Sequence, residues 1–109
     1  MSFAVDTSRR FLRELKQLQK RYASILEDVE ELGEILSEEP HQGAPLGRGC
    51  YKIRLAIRSK GKGKSGGARV ITCVVAVRET VYLLSIYDKS DQASLSDAAL
   101  KAMLDELGL

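Results

Sequence analysis

From Tyr51 to Arg58 the chain alternates. Tyr51, Ile53, Leu55 and Ile57 fall on one parity, and Lys52, Arg54, Ala56 and Arg58 on the other. A period of two is that of a β-strand, here with one apolar face and one strongly basic face. From Arg69 to Val77 the sequence is almost wholly apolar, as in a strand buried on both faces. The segment Ser59 to Ala68 between them is rich in glycine and lysine and reads as a loop. A strand–loop–strand unit with these two patterns needs a sheet and at least one covering layer.

The same region concentrates charge. His41 to Arg78 holds nine basic residues and no acidic one: Arg48, Lys52, Arg54, Arg58, Lys60, Lys62, Lys64, Arg69 and Arg78. The rest of the chain holds eight basic and fifteen acidic residues, so the net charge of +2 hides a positive centre. Such a patch suits a nucleic-acid backbone, although lysines in a glycine-rich turn also simply solvate a loop.

The flanking segments supply the covering layer. Phe3 to Asp6 is a short candidate edge strand. From about Ser8, Phe11, Leu15, Leu18, Tyr22, Ile25, Val29, Leu32 and Leu36 recur at spacings of three and four, one apolar helical face. A break near Arg21 to Ser24 is expected, with Ser24 to Glu27 as a capping box and Pro40 as the stop. The second helix carries Glu27, Asp28, Glu30, Glu31, Glu34, Glu38 and Glu39 and no basic residue, so it is solvated or meets a basic partner. His41 to Gly49 is expected to be a loop. Arg78-Glu79 makes a turn, and Thr80 to Tyr87 a third strand. Asp88 to Ser94 is a polar loop, Ser94 to Asp97 a second cap, and Leu100, Met103, Leu104 and Leu107 the apolar face of a last helix. The expected fold is α+β, in the order β-α-α-β-β-β-α: an antiparallel meander with a helical hairpin on one face and a basic shelf on the other.

The 109 residues are expected to form one domain spanning 1–109. No signal peptide is visible and no apolar run can span a bilayer, so a cytoplasmic protein without membrane contact is expected. Cys50 and Cys73 lack metal-ligand spacing and read as free thiols in a reducing compartment. Neither a metal site nor a cofactor is expected. Gly61, Gly63 and Gly66 fit G-x-G-x-x-G, but a strand rather than a helix follows, so no helix N-terminus would hold a pyrophosphate. Gly63-Lys64-Ser65 looks like a P-loop ending, yet the required first glycine falls on Arg58.

Three segments together resemble the RelE/ParE superfamily of bacterial toxins, RelE/HigB-like branch. They are the helical opening with Phe11 and Leu15, the strand Cys50-Tyr51-Lys52-Ile53-Arg54-Leu55, and Gly66-Gly67-Ala68-Arg69-Val70-Ile71 followed by Val81 to Ser90. The resemblance covers nearly the whole chain. It implies a ribosome-dependent messenger-RNA endonuclease of a type II toxin–antitoxin system. In that mechanism the substrate's 2′-hydroxyl attacks the adjacent phosphate without a metal. It implies a cognate antitoxin, the ribosome and mRNA as partners, with operator DNA met only through the antitoxin. Matching positions place Lys52 and Arg54 on the first basic strand, Arg69 at the opening of the next, and Lys89 after the last. RelE toxins have a tyrosine near the C-terminal helix; this chain has none after Tyr87, which becomes the candidate replacement. Physically, Lys52 and Arg54 share a strand face, and guanidinium groups hold phosphate in pairs of hydrogen bonds. Crowding by Arg54, Arg58 and Arg69 would push Lys52 toward its neutral, basic form. Arg58, Lys60, Lys62 and Lys64 are expected to hold RNA or ribosome, and Arg69 to be dispensable for stability. The alternatives are a ParE-like inhibitor of DNA gyrase without chemistry, and an inactive relative that binds only its antitoxin.

Overall fold

The computed structural model describes residues 2–92 and 94–109. Two helices, α1 (Arg9–Gln19) and α2 (Ile25–Glu38), follow a short strand, β1 (Ala4–Thr7). Strands β2 (Ala44–Gly47), β3 (Cys50–Leu55), β4 (Ala68–Val75) and β5 (Thr80–Asp88) come next, and α3 (Asp97–Glu106) closes the chain. The sheet order is β1-β5-β4-β3-β2. Strands β3 to β5 form the expected antiparallel meander, and β2 extends it by one strand. β1 departs from it by pairing parallel to β5, and α1 and α2 carry the chain from there to β2 at the opposite edge of the sheet.

The expected helical hairpin forms for a local reason and a tertiary one. Ser8 caps α1 by accepting from the Phe11 amide at 3.0 Å, and its hydroxyl donates to the Leu84 carbonyl at 3.1 Å. Phe11, Leu15 and Leu18 from α1 then join Ile25, Val29, Leu32 and Leu36 from α2 over Ile53, Val70, Val81 and Ile86. The periodicity in the sequence is therefore the footprint of one buried face.

Several boundaries move. The segment expected to be a loop before Gly49 contains β2, which pairs with β3 and bulges between Pro45 and Gly47. Proline and glycine are compatible with it because it is an edge strand. The basic strand ends at Leu55 rather than Arg58. Ile57 turns into the core at 1 % exposure and a single 3₁₀ turn, Arg58–Lys60, follows. β4 ends at Val75, leaving Val77 94 % exposed in a second 3₁₀ turn. Ser24 makes no capping bond to α2; its hydroxyl is taken by Asp28 and Ser59 instead. The cap of α3 is Ser96, which accepts from Ala99, not Ser94.

The second face of the sheet is the main correction. It is not an open basic shelf. Leu100, Met103 and Leu104 of α3 pack there on Cys50, Ile71, Cys73, Leu84 and Tyr87. The basic side chains of β3 and β4 share that face, beyond the end that α3 covers.

Candidate nucleic-acid interface

Strand register builds the site. In the β3–β4 ladder Arg54 lies opposite Arg69, and in the β4–β5 ladder Arg69 lies opposite Tyr87. The three therefore form one row across three strands. The Val74 amide donates to the Gly49 carbonyl at 2.8 Å. That bond makes Cys50–Cys73 a non-hydrogen-bonded pair, and the regular ladder repeats the type at Lys52–Ile71 and Arg54–Arg69. Side chains approach most closely at such pairs. Backbone register thus sets two arginines on directly opposite positions of one sheet face, where like charges cost stability.

The two arginines differ in exposure. Arg54 is exposed, whereas Arg69 is buried at 5 %. Arg69 donates to the carbonyls of Lys64 and Ala68 at 3.1 Å each and of Ser65 at 3.3 Å. It therefore also fastens the glycine–lysine loop, which argues against the expectation that it is dispensable for stability. Removing it would take away three hydrogen bonds that hold the loop against β4. Gly67 fits the same closure: a Cβ there would lie 2.1 Å from the Leu55 carbonyl oxygen.

Tyr87 stands beside Arg69 with its hydroxyl buried and without a hydrogen-bond partner. Burial raises its pKa, and the charge of Arg69 opposes the rise. Lys52, half-buried, lines a groove of about 530 Å³ with Arg54, Lys64, Gln42, Gly43 and Ala44. Sequence reading missed the last three because the pairing of β2 with β3, which brings Ala44 and the residues before it beside Lys52, is not visible in the sequence. Lys89 is exposed two residues beyond Tyr87, and its amide donates to the Gly67 carbonyl at 3.1 Å.

Two residues expected to contact RNA are engaged elsewhere. Arg58 meets the acidic helix: its Nε lies 2.8 Å from Asp28 and its Nη2 3.0 Å from Glu31. The hydrogen bond that Arg58 donates to Asp28 raises its pKa further, so it stays charged but neutralised. This also corrects the expectation that Arg58 crowds Lys52 electrostatically. Lys60 Nζ lies 2.8 Å from Asp88, a carboxylate 1 % exposed. Asp88 also accepts from the Tyr22 hydroxyl, from Arg21 at 3.1 Å and from Ser90. Burial alone would raise the Asp88 pKa; the bonds from Lys60, Tyr22 and Ser90 outweigh it and hold the carboxyl well below its usual range. Sequence reading missed this anchor, and its one signal was an aspartate ending the apolar run of β5. Lys62 and Lys64 are exposed, as expected. Among the described residues, no group of three or more His, Cys, Asp and Glu side chains is gathered to hold a metal.

A helical hairpin on a five-stranded sheet, with a short C-terminal helix on the far face, is the fold of small bacterial toxins of known structure. An Escherichia coli RelE mutant in the free state superposes with a TM-score of 0.69 at 23% identity, covering 94% of this chain and 98% of that one. The toxin–antitoxin complex RelBE2 of Mycobacterium tuberculosis gives 0.62 at 25% identity, over 81% and 99% of the two chains. The intact E. coli RelBE toxin–antitoxin complex gives 0.63 at 22%, over 80% and 96%. The family described as the RelE toxin of the RelE / RelB toxin-antitoxin system matches residues 5–107, and the chain belongs to it.

Proposed function

We propose that this chain is a ribosome-dependent endoribonuclease that cuts messenger RNA in the cytoplasm and is neutralised by a cognate antitoxin. The observation that carries the reading is the Arg54–Arg69–Tyr87 row, two guanidinium groups and an unpartnered phenol with no ion-paired carboxylate among them. A buried cation without a carboxylate is best completed by an anion from outside. Phosphate is the anion that two adjacent guanidinium groups suit.

The reaction is attack of the RNA's own 2′-hydroxyl on the adjacent phosphorus, with departure of the 5′-oxygen. Lys52 takes the 2′-hydroxyl proton. Arg54 and Arg69 stabilise the charge that develops on the phosphoryl oxygens. Tyr87 gives its proton to the leaving oxygen, and Lys89 holds a flanking phosphate. Lys62 and Lys64 track the backbone. Arg69 serves the substrate once the loop carbonyls of Lys64 and Ser65 release it.

The antitoxin covers the groove between α2 and β3, where Leu32, Ile35 and Leu55 form an apolar floor beside Arg54 and Lys64. An acidic, amphipathic segment suits that lining. Operator DNA is reached only through the antitoxin. The test is to map RNA 5′ ends after induction of the wild type and of Arg69→Ala. New ends within translated codons, lost in the variant, are expected. Arrest of DNA replication before translation, without new RNA ends, would replace this reading by gyrase inhibition.

A further inference from the structure

The pair Cys50 and Cys73 takes no part in the proposed reaction. They face each other across β3 and β4 as a non-hydrogen-bonded antiparallel pair. Such a pair holds its Cα atoms about 4.5 Å apart. A disulfide spans Cα separations of about 4.4–6.8 Å. Both side chains also converge on one point. The Cys50 and Cys73 sulfurs lie 3.7 and 3.8 Å from the same carbonyl oxygen, that of Arg48. That carbonyl sits in the β2–β3 turn, where Arg48 adopts a left-handed φ of 59°.

Access is the second observation. The two cysteines are 1 % and 3 % exposed. Cys73 nevertheless lines an open groove of about 520 Å³ between the end of β4 and α3, bordered by Arg48, Leu104 and Leu109. The groove is wide enough to bring a molecule as small as a peroxide up to Cys73.

We propose that Cys50 and Cys73 are a redox modification site, a cross-strand dithiol that hydrogen peroxide converts reversibly to a disulfide. Cys73 attacks first. Interaction with the Cys50 thiol lowers the pKa of Cys73 against the opposing effect of burial, while interaction with Cys73, then burial, raises that of Cys50. The Cys73 thiolate forms a bond to one peroxide oxygen as the O–O bond breaks; the other oxygen leaves as hydroxide and takes up a proton as water. The Cys50 thiol then attacks the Cys73 sulfenic sulfur. The S–S bond forms, the S–O bond breaks, and a second water leaves with the thiol proton. Two thiols and one peroxide thus give one disulfide and two waters, and a dithiol reductant reverses the change by exchange. The link would join the two strands that carry Arg54 and Arg69, on the same sheet face and beneath α3.

The test is peroxide treatment of the folded full chain, followed by denaturation, alkylation with N-ethylmaleimide and mass measurement. The expected product carries no alkyl group, is lighter than the reduced chain by two hydrogens, and yields one cross-linked peptide containing Cys50 and Cys73. Dithiothreitol should restore two alkylation sites. In Cys50→Ala, dimedone should trap a sulfenic acid on Cys73. Two fully alkylated cysteines after peroxide, or sulfinic acids without a cross-link, would overturn the proposal. So would a cross-link confined to dimers.

Discussion

The glycine–lysine segment has two ends that the sequence writes alike and the fold treats oppositely. At one end Arg58 and Lys60 are held by Asp28, Glu31 and Asp88. At the other, Lys62, Lys64 and Arg69 have no ion-pair partner among the described residues. The first end is an anchor that ties the loop to α2 and to the end of β5. The second is a cationic surface with unspent charge. A basic residue's contribution to anion binding depends less on its presence than on whether the fold has already neutralised it.

The largest effect that separates the ends should come from Arg69. Arg69→Ala is expected to lower RNA cleavage by roughly a hundredfold or more, as for loss of a donor to a developing oxyanion. Arg69→Lys should restore little, since an ammonium cannot make the paired contact. Primer-extension rates on ribosome-bound message would measure both. Because Arg69 also holds the loop carbonyls, the alanine variant should show faster amide exchange in residues 62–67. Full activity in a folded Arg69→Ala protein would remove the site assignment.

At the anchored end the expected loss is stability. Asp88→Ala should cost about 3 kcal/mol, because it leaves the half-buried Lys60 ammonium without its carboxylate. Denaturant titration would measure it; a loss within experimental error would show that the anchor is dispensable. The pH dependence has a defined sign. The Asp88 pKa is depressed in the folded state. Its stabilising contribution is therefore full above the unfolded carboxylate value, about 4. It is lost as pH falls below that value toward the folded one. The stability gap between wild type and Asp88→Ala should be constant from neutral pH to about 5 and shrink in more acid solution.

A smaller effect separates the lysines. Lys62→Ala with Lys64→Ala should flatten the salt dependence of RNA binding, by a slope of about 0.7 per lost single-strand phosphate contact. Arg58→Ala should leave the slope unchanged and disturb α2 instead. An equal change from Arg58→Ala would break the comparison between the two ends.

Much of the fold was legible because it rests on local periodicity. The apolar positions of α1 and α2, the alternation of β3 and the apolar run of β4 each record the face that becomes buried. β2 was illegible because an edge strand made of Ala-Pro-Leu-Gly carries turn residues and buries little. The far face of the sheet was misread because nothing local says that α3 folds back over Cys50, Ile71 and Cys73.

The sequence by itself determined that a positive centre lies on a strand–loop–strand unit and that Lys52 and Arg54 share one face of it. Only the tertiary structure decided which cations remain available. Asp28 lies 30 positions from Arg58, and Asp88 lies 28 from Lys60. Charge acts through space, so neutralisation follows from which distant carboxylates the packing delivers. The Arg54–Arg69–Tyr87 row has the same origin, since strand register, set by the whole sheet, chooses which side chains stand opposite one another.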